Sequence, residues 1–253
     1  MSAPTRRERL RATTLSEIKD GARRLLVTGG VEAISLRAIA RDMGMTAPAI
    51  YRYFPNLEAL VGALAGDLYD ELRGIVEAAR DAAGADPADQ LIAMCRAMRR
   101  WAVAHPAEFT LIFGNPVPGL ATFTDACADA EHPGARFGAV FLAPFLALTR
   151  GATLPGPPAD VLRQQLGCHL APLTAKHGEL PVEVAYAFLS AWTRLYGLVA
   201  MEVFGHLTWA VDPPEALFET ELAALFAQFG GAAASDRPPA GNGDDPPAGS
   251  ARH

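Results

Sequence analysis

Between Ser35 and Phe54 the chain reads SLRAIARDMGMTAPAIYRYF, which fits two short amphipathic helices and the corner between them into twenty residues. Leu36, Ile39, Ala40 and Met43 recur at the i, i+3, i+4, i+7 spacing of one helical face. Ser35 stands before them, where a hydroxyl accepts a hydrogen bond from a first-turn amide. Gly44 follows and supplies the left-handed residue that ends such a helix. One residue later Thr46 is placed to cap a third helix, and Pro48 falls in its first turn, where a missing amide hydrogen removes no bond. Met45 before the cap and Ile50 within the helix form a hydrophobic staple that fixes the entry angle. With only Met45 between Gly44 and Thr46, the two helices are held at one angle, and the segment predicts a helix-turn-helix.

The flanks supply the rest of a three-helix head. Thr14-Leu15-Ser16-Glu17 reads as a capping box opening a first helix that Gly29-Gly30 ends. Leu15, Ile18, Ala22, Leu25 and Leu26 share one face of it, with Lys19, Arg23 and Arg24 elsewhere. Residues 1–12 hold four arginines and little that packs, which predicts a flexible basic arm. Pro55 stops the third helix, and Asn56 caps a fourth running through Leu57, Leu60, Val61, Leu64, Leu68, Leu72 and Ile75 to about residue 79. Further helices are expected over 88–104, 107–113, 133–149, 159–170 and 182–204, with a last one opened by Pro213 and running to 229. His105-Pro106 breaks one pair, and 114–119 reads as a turn. The fold class is therefore all-α. A helix-turn-helix domain over 13–60 precedes a larger helical domain over 61–229, and the final 24 residues, with five Gly and four Pro, are expected to be disordered.

Charge divides the chain in the same place. Residues 1–60 carry ten basic and six acidic side chains, while residues 61–253 carry 12 basic and 22 acidic. A basic front on an acidic body predicts that only the front faces nucleic acid, with the body repelling it. Three cysteines, Cys95, Cys127 and Cys168, fit neither a disulfide framework nor a paired zinc knuckle. The N-terminus has no apolar stretch of the secretory kind. The longest strongly apolar run, Phe137 to Thr149, is 13 residues and contains Pro144, short of the roughly 20 needed to span a bilayer. The expectation is a cytoplasmic protein with no membrane partner. Catalytic signatures are missing: no nucleophile elbow, phosphate-binding loop, dinucleotide fingerprint or His-Glu-x-x-His appears. An enzyme is not expected, nor a cofactor. Cys168-His169 with His177 is the nearest approach to a metal set, and adjacent helical residues diverge by about 100°, so no metal is expected either.

On the third helix Ile50 and Phe54 face the head's interior, while Pro48 and Arg52 project oppositely with Tyr51 and Tyr53 beside them. Such a helix fits the major groove of B-DNA, where an arginine reads guanine or holds a phosphate. Arg37 opens the second helix, where amides and a guanidinium together favour a phosphate oxygen. Leu36-Arg37-Ala38-Ile39-Ala40, Gly44-Met45-Thr46, Ile50-Tyr51-Arg52-Tyr53-Phe54 and Asn56-Leu57-Glu58-Ala59-Leu60 together resemble the TetR-type transcriptional regulators across residues 14–64. The resemblance implies a homodimer whose heads grip a palindromic double-stranded operator and whose larger domain binds a small-molecule effector that releases it. It assigns DNA contact to Arg37, Thr46, Ala47, Pro48, Tyr51, Arg52 and Tyr53. Where the family commonly places Lys after the Asn, Leu57 stands here, and one phosphate contact is missing.

In the body, Trp192, Tyr196-Gly197, Glu202 and Gly205 are similar to a TetR subtype with Trp followed by a His-Gly pair, Tyr196 standing in for the histidine. Phe137, Phe141 and Phe145 recur every fourth residue, and Met94, Met98, Trp101, Phe109 and Phe113 cluster before them. With Trp192 and Tyr196 these line an apolar or aromatic effector cavity, or else they are plain helical core. Leu217, Phe218, Leu222, Leu225, Phe226 and Phe229 exceed what one surface helix needs, and two copies pairing through the last two helices would bury them. The competing reading is a helical small-molecule-binding protein whose head no longer reads DNA.

Overall fold

The computed structural model describes residues 5–114, 133–176 and 180–229. Among these residues there are ten α-helices, one 3-10 turn and no strand. The head comprises α1 (Arg6–Gly29), a 3-10 turn (Val31–Ala33), α2 (Leu36–Asp42) and α3 (Ala47–Ile50). Then come α4 (Leu57–Ala82), α5 (Pro87–Ala104), α6 (Pro106–Phe113), α7 (Pro133–Thr149), α8 (Ala159–Lys176), α9 (Val182–Val203) and α10 (Pro214–Ala227).

Most predicted punctuation holds in detail. The Ser35 hydroxyl accepts the Ala38 amide, and Asn56 Oδ1 accepts the Ala59 amide at 2.8 Å. Gly44 has φ +65°, and the Met45 amide donates back to the Ala40 carbonyl at 2.8 Å. Ile18, Ala22, Ile39, Ile50 and Leu60 are buried, so α1, α2, α3 and the start of α4 close over one small core.

The expected arm and the expected first cap are corrected. α1 begins at Arg6, and its capping box is Thr5 with Glu8: the Thr5 amide donates to Glu8 Oε2 at 2.6 Å, and the Glu8 amide to Thr5 Oγ1 at 3.3 Å. Thr14 lies mid-helix, its hydroxyl donating to the Leu10 carbonyl at 3.1 Å. Two Thr-x-x-Glu patterns nine residues apart compete here, and the helix propagates outward from its packed portion to the earlier one. Residues 1–4 and the tail from 230 on lie outside the described residues.

α3 is shorter than expected. Beyond Ile50 the backbone tightens, with the Arg52 amide bonding Ala49 O and the Tyr53 amide Ile50 O at 2.9 Å. These i to i+3 bonds carry the chain through Tyr51–Tyr53 to Phe54, where Pro55 disfavours helix in the residue before it.

α4 runs from head into body, a span of about 39 Å at 1.5 Å per residue. In the body it packs on α5 and α7, and near the head on α1 and α6. α8 and α10 pack on α9, which itself meets α5 and α7. Arg99 holds Glu202 with two bonds of 2.7 Å, joining α5 to α9, and Arg96 holds Glu219, joining α5 to α10. α8 continues six residues past the expected end at 170. α9 is long and apolar enough to cross a membrane by length and composition, which the 13-residue run did not foretell. Its charged residues Glu183, Arg194 and Glu202 pair with Arg163, Glu221 and Arg99, as in a helix packed among protein neighbours.

Candidate nucleic-acid interface

Burial of Ile50 and Phe54 decides which way α3 faces. With those two side chains in the head core, Thr46, Ala47, Pro48, Tyr51 and Arg52 are all exposed, and so is Arg37 at the start of α2. Tyr53 differs from the others. It is half-buried, and the Arg11 guanidinium lies over its ring at 5.4 Å from the centroid, a cation–π contact that joins α1 to the turn after α3. Thr46 makes no side-chain cap, so its hydroxyl is not used within the helix. Leu57, at the position where a lysine was expected, is exposed at the start of α4.

The charges sort by destination. Among the described residues, Arg73, Arg80, Arg96, Arg99, Arg136, Arg163 and Arg194 of the body are each paired with a carboxylate, while exposed Arg100 and Arg150 pair with none of the described ones. In the head only Lys19, Arg23 and Arg24 are paired, with Asp67, Glu71 and Glu108, and Asp42. No carboxylate among the described residues pairs with Arg6, Arg7, Arg9, Arg11, Arg37, Arg41 or Arg52. A guanidinium left unpaired on a convex surface is available to a phosphate or a guanine edge.

Behind this surface a polar junction fixes the head to the body. Arg23 of α1 donates Nε to Glu108 of α6 at 3.0 Å and two bonds to Glu71 of α4, the shorter 2.7 Å. Glu108 is buried, and Trp101 Nε1 donates to Glu71 at 2.8 Å. Burial would raise the Glu71 carboxyl, but the Arg23 and Trp101 hydrogen bonds outweigh it and hold it below the ordinary carboxylate value. Sequence reasoning missed this junction, placing Arg23 only off the packed face of the first helix. The available signal was a glutamate amid the apolar residues of PAEFTLIF.

Residues 18–64 match the family described as bacterial regulatory proteins, tetR family, and residues 91–225 match the tetracyclin repressor-like C-terminal domain. The chain belongs to the TetR family. It is 33% identical over 217 residues to the HTH-type transcriptional regulator Rv1816 of Mycobacterium tuberculosis, covering 84% of this chain and 90% of that one, and matches Mb1846 of Mycobacterium bovis equally. The crystal structure of regulatory protein SCO4313 superposes with TM-score 0.66 at 33% identity, over 88% of this chain and all of that one. RolR, solved with resorcinol, shares the fold at TM-score 0.53 and 18% identity, over 91% of this chain and 96% of RolR. The chain is thus a helix-turn-helix transcriptional regulator of the TetR type and not an enzyme.

In this TetR body the effector candidates separate into three groups. Met94, Met98, Trp101, Phe109 and Phe137 are buried in solid core. Phe113 and Tyr196 close the end of α6: Tyr69 Oη donates to the Ile112 carbonyl at 2.5 Å and Tyr196 Oη to the Phe113 carbonyl at 2.6 Å. Burial pushes both phenols up, so both stay neutral donors. Phe141, Phe145 and Trp192 instead border a cavity of about 40 Å³, with Leu91, Cys95 and Leu195 among its other walls. Its walls are almost wholly apolar and offer a water few hydrogen-bond partners.

The expected pairing residues are corrected. Phe218, Leu222, Leu225, Phe226 and Phe229 are already buried in their own protomer, against α9 and the core behind it, and Leu225, Phe226 and Phe229 also wall the cavity. Leu217 alone of the six stays half-exposed. The exposed residues are instead Glu215, Ala216, Thr220, Ala224 and Ala227 on α10, with Leu189, Ser190, Thr193 and Met201 on α9. No three His, Cys, Asp or Glu side chains converge among the described residues. The side chains of Cys168 and His169, with His177, lie outside them.

Proposed function

We propose that this regulator is a cytoplasmic repressor. It binds a palindromic operator as a homodimer and leaves it when a small apolar or aromatic effector enters the body. The observation that carries the reading is the exposed surface of Thr46, Ala47, Pro48, Tyr51 and Arg52, held past the Gly44 corner and accompanied in the head by arginines that pair with no carboxylate among the described residues. Thr46, Ala47, Tyr51 and Arg52 reach base edges in this reading, while Arg37 and Tyr53 set register on the phosphates. The mostly small exposed residues of α10, with Leu189 and Met201 exposed on α9, suit close pairing of two copies as a four-helix bundle. The Phe141, Phe145 and Trp192 cavity is the seat that an effector would enlarge. Resorcinol in RolR is the same class of compound in a shared fold. An effector acts by binding one spacing of the two heads better than the other.

The test is a mobility-shift assay on the intergenic DNA upstream of the chain's own gene, with light scattering for the mass in solution. A retarded, dimeric complex with steep salt dependence is expected. Arg52→Ala should weaken it by roughly one to two orders of magnitude, the value of a bidentate base contact. Binding indifferent to both Arg52→Ala and Arg37→Ala overturns the assignment of the recognition surface.

A further inference from the structure

The first two turns of α1 bury no side chain in the protomer, and Arg11 over the Tyr53 ring is their one described contact with the rest of the head. Every residue from Arg6 to Thr13 is exposed, and burial begins only with the half-buried Thr14 and Leu15. The segment is nevertheless helical and closed by its own capping box. Its charge runs against that helicity. Cations near the amino end of a helix oppose the macrodipole, and Arg6, Arg7, Arg9 and Arg11 crowd there with Glu8 as the sole acid in the first turn. None of the four has a carboxylate among the described residues to offset it.

Direction comes from the helical stripe. Ala22, Ile18 and Leu15 face the head core, and Arg11 and Arg7 continue the same stripe outward at four-residue steps. Where the head ends, the stripe changes from aliphatic to arginine. Arg11 then meets the Tyr53 ring, next to Arg52 at the end of the recognition surface. The overhang is therefore turned to the side on which DNA would lie.

We propose that residues 6–13 are a second DNA-contacting element: a rigid arginine-bearing overhang that grips the phosphates flanking the bases reached by α3. It rests on the reading of the head as an operator-binding surface and extends its footprint. Eight helical residues span about 12 Å, which faces roughly three or four phosphates of one strand at 3.4 Å each. That length suits two or three arginine contacts. They also replace the phosphate contact absent at Leu57. The occupant is DNA because the overhang shares its side with the recognition surface, whereas the acidic body would be pressed against any extended anionic bilayer.

The experiment compares full-length wild type with an Arg6→Ala, Arg7→Ala, Arg11→Ala triple variant. Alanine preserves helix propensity, and circular dichroism confirms that the helix remains. Binding is measured by anisotropy from about 50 to 200 mM salt on two probes, the upstream intergenic fragment and a random duplex of equal length. The expected result is a slope of log K against log salt smaller by about 2 to 3 for each protomer, with comparable weakening on both duplexes. Arg52→Ala, in contrast, should weaken the upstream fragment selectively. An unchanged slope while Arg52→Ala still abolishes preference for the upstream fragment sinks the overhang and leaves the proposed function standing. Wild type with no preference between the duplexes sinks the proposed function. A triple variant that loses only binding to phosphatidylserine vesicles, with its DNA slope intact, assigns the overhang to membranes and overturns the inference.

Discussion

Replacing Arg23 by Met tests whether the head is fixed to the body by the polar junction. Methionine retains the aliphatic stem and removes the three donors to Glu71 and Glu108. The Arg23 and Glu71 side chains are each about one-third exposed, so solvent screens their pair and its loss costs at most about 1 kcal/mol. Glu108 is different, at 5% side-chain exposure. A buried carboxylate deprived of its partner costs about 3 to 5 kcal/mol. Its position in the first turn of α6 lets helix amides compensate in part and argues for the lower end. The expected loss is about 3 kcal/mol, or roughly 6 to 12 °C in Tm for a chain of this size. Glu108→Gln keeps Arg23 bound to Glu71 and leaves no buried charge, so it should cost only about 1 kcal/mol. The double variant should therefore recover about 2 kcal/mol of the loss expected from adding the two single effects. Urea unfolding at fixed protomer concentration measures all four corners of the cycle. A loss below about 1 kcal/mol for Arg23→Met, or strict additivity in the double variant, would refute the claim that this junction carries the head–body contact.

Gly44→Ala meets no atom within 4 Å, so its cost is the left-handed backbone alone, about 1 to 2 kcal/mol in thermal unfolding, with Gly44→Asn recovering most of it. Because the folded Glu71 carboxyl titrates below its ordinary value of 4.5, its contribution is present above that pH and lost as pH falls through the lowered value. The urea midpoint of wild type should thus drop more steeply below about pH 4.5 than that of Glu71→Gln. Burial pushes the Cys95 thiol up to about 12; in a Cys127→Ser, Cys168→Ser variant it should resist a thiol reagent at neutral pH until denaturant is added.

The helix-turn-helix was readable because its signals are local. Ser35, Gly44 and Asn56 each act on amides or carbonyls within a few residues, and the buried positions repeat at helical spacing. The same rule failed at the amino end of α1, where two capping boxes lay nine residues apart and only propagation from the packed core chose between them. For α10 the apolar count was right but its destination was not. Leu222, Leu225 and Phe226 could serve a second copy or their own core equally well, and hydrophobicity has no direction.

By itself, then, the order of residues determined an all-helical chain, the corner at Gly44 and the exposure of Arg52, since each follows from backbone chemistry over one or two turns. Tertiary structure alone decided that Arg23 meets Glu108, 85 residues away, that Arg11 lies over Tyr53, and that Phe141, Phe145 and Trp192 border a small apolar cavity. Those outcomes depend on how separate helices cross, and crossing is set by the packing of whole faces rather than by any local signal.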